Sequence, residues 1–231
     1  MKNPSPALSS RKKRPVPKLG GFTLIEVLTV IAIISILMTA GAIGLGNLTA
    51  GKGTSSAIAT CESLFEEART IAISKRCKAR VLIDIDDPAN TNYLRRVVIS
   101  HEKINPDGSV DTTGEWVISS RGYTMPSGTF FSQIYSKEDG GGDIKTENIP
   151  ASVSNEYQGD YASYEFNGEG IFKYPGASFI IAAGVRPINA EPKTTKGAER
   201  DFAGFVIWRN GRTSTFRSPD QMGIPANVKD F

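Results

Sequence analysis

Gly21-Phe22-Thr23-Leu24-Ile25-Glu26-Val27-Leu28 opens an apolar run that lasts to about Leu45. From Phe22 to Gly51 the only charged side chain is Glu26, and the next charge is Lys52. As a helix, Phe22 to Leu45 rises about 36 Å, enough to cross a hydrocarbon layer about 30 Å thick. A carboxylate near the start of such a segment costs several kcal/mol unless it is paired. Stability does not explain Glu26, so the stretch implies a long helix whose acid has a partner.

Charge is distributed to match. The net charge is +3, yet Lys2, Arg11, Lys12, Lys13, Arg14 and Lys18 all precede Phe22, with no acid among them. Removing those six from the 27 basic residues leaves 21 against 24 acidic side chains, a remainder of −3. The basic balance therefore belongs to the leader, and nucleic-acid binding by the body is not expected. Cations ahead of an apolar helix hold that end in the cytoplasm. Pro4, Pro6, Pro15, Pro17 and several serines give residues 1–21 the composition of unfolded chain. A secretory signal places its apolar core before the cleavage site; here the apolar run follows Gly20-Gly21.

Lys18-Leu19-Gly20-Gly21-Phe22-Thr23-Leu24-Ile25-Glu26-Val27-Leu28 resembles the type III signal of type IV pilins and type II secretion pseudopilins. The resemblance implies that a membrane aspartic peptidase, the prepilin peptidase, cuts between Gly21 and Phe22 and methylates the new N-terminus at Phe22. Glu26 is then the fifth residue of the product, the position that family uses. Cleavage creates a positive amine on Phe22, and in a filament the Glu26 carboxylate can pair with the amine of a neighbouring subunit. Removing one partner of such a buried pair costs about 3–5 kcal/mol, so the pair favours assembly and sets axial register. A contact within one lone anchor is the alternative.

Farther along, Ala40/Gly44 and Ala42/Gly46 place small residues four apart, which lets helices approach closely in membranes or marks a weakened helical segment. Residues 46–54 nearly spell a phosphate-binding loop, but Gly53 stands where Ser or Thr is needed and no strand precedes it. Nucleotide binding is rejected. From Thr54, Ile58, Cys61, Leu64, Phe65, Ala68, Ile71 and Ala72 recur at three- and four-residue steps, an amphipathic stripe able to carry a sheet.

Strand signals follow at Ala79–Asp86, Tyr93–Ser100, Glu115–Ser119, Thr129–Ile134, Ser163–Phe172, Ser178–Ala183, Phe202–Arg209 and Thr213–Arg217. Asn210-Gly211 is a strong hairpin signal between the last two. Lys137–Asp143 is expected to be a flexible polar loop, and the region on to about Asp160 has no clear period. The fold class expected is α+β: a long N-terminal helix packed on an antiparallel β-sheet head. Its parts are a basic leader (1–21), a transmembrane and assembly helix (22–46), its amphipathic half (47–77) and an extracytoplasmic β-rich head (78–231). The Leu64–Ala72 segment ahead of the Val81 strand, and the late Gly211-Arg212 hairpin, resemble minor pseudopilins of the GspH/FimT type. A C-terminal cysteine pair, as in major pilins, is absent from this sequence.

Little chemistry is expected of the head. Cys61 and Cys77 lie too far apart on one helix for a disulfide, and Cys61 reads as a small buried hydrophobe. His101 reads as a surface residue of a strand or loop. The acidic groups Asp84/Asp86/Asp87 and Glu138/Asp139/Asp143 lack calcium-loop spacing and read as solvated turns. Tyr157, Tyr161, Tyr164, Phe166, Phe172 and Tyr174 could stack nucleic acid but read better as core. No catalytic residue, metal site or cofactor is expected. The implied partners are other pilin or pseudopilin subunits, the prepilin peptidase and the bacterial inner membrane. The implied role is a structural subunit of a pilus or pseudopilus. The alternatives are a DNA-binding minor pilin for DNA uptake and a non-polymerising, membrane-anchored domain.

Overall fold

The computed structural model describes residues 24–187, 190–194, 202–216, 221 and 223–224, with side chains described outside 36–52. The chain divides into two compact units, residues 1–43 and 44–231. One helix, α1 (Leu24–Lys75), starts in the first and ends in the second. It runs through residues 46–54, so the segment that nearly spells a phosphate loop is helix.

Ten strands follow: β1 (Ala79–Asp84), β2 (Arg96–Glu102), β3 (Trp116–Ile118), β4 (Tyr123–Thr124), β5 (Thr129–Phe131), β6 (Thr146–Ile149), β7 (Gly159–Phe166), β8 (Ser178–Ala183), β9 (Phe202–Ile207) and β10 (Thr213–Phe216). They form two sheets rather than one. The first has the order β3-β2-β1-β7-β6, with β4 pairing with β2 beyond β3; the second has the order β10-β9-β8-β5. Every pairing is antiparallel.

The amphipathic stripe is the core face of the helix. Ala57, Cys61, Phe65, Ala68 and Ala72 are wholly buried, and Ile58, Leu64 and Ile71 pack against the same core. Phe65 meets both sheets: its ring lies edge-on to Tyr164 (5.1 Å) of β7, Phe179 (5.4 Å) of β8 and Phe205 (5.0 Å) of β9. Small residues on either side let the sheets come close enough for these contacts. The helix stops in a hydrogen-bonded reversal. Arg76 adopts φ 51°, its N–H reaches Ile73 O, and the N–H of Cys77 reaches Ala72 O, the Schellman pattern with arginine where glycine usually sits.

Alternation along β1 turns Ala79, Val81 and Ile83 to the helix, and Arg80, Leu82 and Asp84 to the far side of the first sheet. There Leu82, Val98, Ile149, Tyr157 and Tyr161 make a second, smaller core, flanked by Ile118 and Val153.

Several expected boundaries move. The second strand starts at Arg96, because Tyr93 and Leu94 belong to turns and Leu94 takes φ 55°. Ser163–Phe172 divides: β7 begins earlier, at Gly159, and ends at Phe166, and a turn through Gly170 brings Phe172 back beside Phe166. Two short strands that the pattern did not signal, β4 and β6, extend the first sheet. Residues 137–143 form a closed hairpin rather than an open loop, with bridge pairing of Lys137 and Asp143, whose side chains also form an ion pair. Ser178–Ala183 is a strand from end to end, and Gly211 turns the last hairpin at φ 75°.

Candidate functional site

The stretch expected to carry the processing signal precedes the first described turn of α1. Glu26 lies in that turn, where the first backbone N–H groups lack helical acceptors and negative charge is favoured. Gly21 and Phe22, which flank the expected cut, lie outside the described residues. From Leu24 to Ser35 every side chain is exposed, including Leu24 (79 %), Ile25 (70 %) and Ile31 (55 %). A helix apolar on all sides is suited to an apolar surrounding. Its hydroxyls fit this: Thr29 donates to Ile25 O and Ser35 to Ile31 O, both at 2.8 Å, which satisfies them within the helix. Among the described residues no helix is long and apolar enough to cross a membrane; of the expected 22–46 span, side chains are described over 24–35.

In the head, the expected chemical groups are taken up by packing. His101 is buried in β2, not on the surface. Its Nε2 lies 2.6 Å from Lys75 Nζ and its Nδ1 2.6 Å from Glu102 O, because the inward alternation of β2 turns the ring under the end of the helix. Cys61 and Cys77 are buried free thiols, and burial pushes both up, away from the reactive thiolate. Tyr157, Tyr161, Tyr164, Phe166 and Phe172 are buried, so these aromatics are core and offer no stacking platform.

Nor is the first acidic group a solvated turn throughout. Asp84 is buried and lies 2.9 Å from Arg96, which also donates to Tyr161 Oη at 2.9 Å. Burial pushes the Asp84 carboxyl up, and the Asp86 N–H and Arg96 pull against that. Burial also pushes the Tyr161 phenol up, to about 12. Asp87 does cap its turn, accepting from Ala89 N at 2.8 Å. No group of three or more acidic, histidine or cysteine side chains is placed to hold a metal among the described residues.

The far face of the first sheet holds an arrangement that reading along the chain did not single out. Arg80 bonds Glu165 at 2.7 Å and lies 3.5 Å from Glu147, while Lys173 bonds Glu165 at 2.8 Å. Burial pushes the Glu165 carboxyl up, but the bonds from Lys173 and Arg80 hold it below the ordinary range. The Arg80 guanidinium lies over the Trp116 ring, 3.7 Å from its centroid. These residues come from four strands far apart in sequence and, with Lys173, from the segment after β7, so no local spacing announces them.

The family described as the prokaryotic N-terminal methylation motif matches residues 18–42. No curated protein matches the chain. Among solved structures, the type IV minor pilin FimU of Pseudomonas aeruginosa aligns at 14% identity with a TM-score of 0.34, over 76% of this chain and 91% of that one. At that level of likeness nothing of FimU is carried over. The chain carries a prokaryotic N-terminal methylation motif at the head of an α+β fold, one long helix followed by antiparallel strands.

Proposed function

We propose that the chain is a minor pilin or pseudopilin, a structural rather than catalytic subunit. The prepilin peptidase cuts it between Gly21 and Phe22 and methylates Phe22, and the product assembles into a type IV pilus or a type II secretion pseudopilus. The observation that carries this reading is the methylation motif over residues 18–42, which spans Gly21, Phe22 and Glu26. Before processing, the protein is a single-pass inner-membrane precursor with its basic leader in the cytoplasm and its head outside. After processing, the apolar helix is the assembly spine, and Glu26 pairs with the Phe22 amine of a neighbouring subunit. The exposed apolar surface of residues 24–35 supports both states, since lipid and neighbouring helices each offer it an apolar surrounding.

N-terminal mass spectrometry of the protein from cells with and without the prepilin peptidase tests the reading. A methylated Phe22 terminus that depends on the peptidase is expected. A mature protein still beginning at Met1 overturns it.

A further inference from the structure

The turn leading into β5 and the segment after β8 enclose a cleft of about 400 Å³, where Arg95, Ser127, Gly128, Phe130, Val185 and Arg186 line the walls. That volume is within the usual range for ligand sites, about 300–1,000 Å³. Three features of the cleft point to its occupant.

The first is charge without a partner. Arg69, Arg80, Arg95, Arg96 and Arg186 are all partly buried. Arg69 pairs with Glu66, Arg80 with Glu165 and Arg96 with Asp84. Among the described residues Arg95 and Arg186 pair with no carboxylate, and both line this one cleft. Burial pulls the Arg95 guanidinium down, and the charge of Arg186 adds to that. Arg95 Nε is buried with no hydrogen-bond partner among the described residues. A partly buried cation beside another cation is unfavourable, and an anion bound to both relieves the cost.

The second is that both side chains are already held in place. Arg95 Nη2 donates to Met125 O at 2.6 Å and Nη1 to Thr91 O at 3.3 Å, while Arg186 Nη1 donates to Asn90 O. These anchors are neutral carbonyls, so they fix the guanidinium groups and leave their charge unspent. Donors fixed before the ligand arrives lower the ordering cost of binding, and the guanidinium fork matches phosphate oxygens.

The third is position. Thr129 N–H bonds Pro126 O at 3.1 Å, closing a turn whose Ser127 and Gly128 line the cleft. The same turn touches α1: a Cβ added at Gly53 would meet Thr129 Oγ1 at 3.3 Å and Pro126 at 3.8 Å. Gly53 stands eight residues of helix after Leu45, where the apolar run ends, a rise of about 12 Å. A long cationic side chain near that level reaches the headgroup layer, about 5–8 Å deep on each side of the hydrocarbon. Beside the two cations, Val185 is 57 % exposed and Phe130 forms part of the wall, apolar surface that suits a lipid better than a free ion.

We propose that this cleft binds the phosphate group of an anionic phospholipid headgroup, with Arg95 and Arg186 as its donors and Phe130 and Val185 against the adjoining glycerol. The choice of a lipid rests on the proposal that the apolar run anchors the chain in a membrane. Recovery of the full chain in the membrane fraction tests that anchoring separately.

The test is hydrogen-exchange mass spectrometry of the full chain in a neutral detergent. Phosphatidylglycerol, phosphatidylcholine, inorganic phosphate and triglutamate are added in turn at equal concentration. Reading residues 126–130 and 184–187 on their own keeps binding by the basic leader out of the measurement. Slower exchange there is expected with phosphatidylglycerol only. Its midpoint concentration is expected to rise at least about fivefold in Arg95→Gln and in Arg186→Gln, and to stay unchanged in Arg121→Gln. Arg186 bonds a single carbonyl, so its variant keeps the test open should Arg95→Gln fail to fold; unfolding midpoints matching the parent confirm intact variants. No protection, equal protection by phosphatidylcholine, or undiminished protection in folded Arg186→Gln overturns the proposal. Equal protection by inorganic phosphate or triglutamate also overturns it, marking a site for a free anion or an acidic peptide.

Discussion

The ring of Phe65 stands edge-on to the ring of Phe205, centroids 5.0 Å apart and planes at 81°. A residue of the helix thus locks onto a strand of the second sheet, while its contact with Tyr164 locks the helix onto the first. Phe65 is wholly buried, and removing it opens a cavity where the three elements meet. Phe65→Ala is expected to cost about 3–5 kcal/mol, read by denaturant unfolding of the full chain. A loss below about 1 kcal/mol would show that the sheets hold together without it.

Arg96 bonds Asp84 and Tyr161 in one buried knot. Arg96→Met strands a buried carboxylate and is expected to lose about 3–5 kcal/mol, whereas Asp84→Leu combined with Arg96→Met regains much of it. A double-mutant cycle followed by thermal unfolding checks this; additive losses would dissolve the knot as a unit.

Acid stability turns on Glu165. Its folded carboxyl titrates below the ordinary range, so its contribution is present above the unfolded value of about 4.3 and fades as pH falls through the folded one. Glu165→Gln is expected to flatten the acid limb of the stability-versus-pH curve. Asp84, raised by burial, acts with the opposite sign and gains as pH falls. An unchanged limb in Glu165→Gln would rule out the Arg80–Glu165–Lys173 bonds as the cause.

At the other end of the helix, Glu26→Ala is expected to leave cleavage intact and weaken co-assembly with other subunits. Removing a partner from a buried pair costs about 3–5 kcal/mol, roughly two to four powers of ten in an association constant. Co-purification from membranes beside an N-terminal mass measurement separates the two effects. Normal co-assembly would sink the pairing role.

How legible each part was follows from the range of the interaction behind it. The helical face from Ile58 to Ala72 was readable because its period is local, and so were the Ser178–Ala183 strand and the Asn210-Gly211 turn. Errors fell where neighbours in space overrode neighbours in sequence. Leu94 accepts a left-handed backbone to reach the core, so the second strand starts late. His101 and Asp84 sit on positions that looked exposed, yet Lys75 and Arg96 arrive from other elements and make their burial affordable. The strand β6 has a weak pattern of its own and exists because β7 lies beside it.

The sequence by itself determined the N-terminal methylation motif, the long helix with its single early acid, the amphipathic stripe and the α+β order of elements, since each is written in contiguous residues. Only the tertiary structure decided that the strands divide into two sheets meeting at Phe65. It alone gathered Arg80, Trp116, Glu147 and Glu165 on one face of the first sheet. Those residues lie on different strands, and only the register of the antiparallel ladders brings them together.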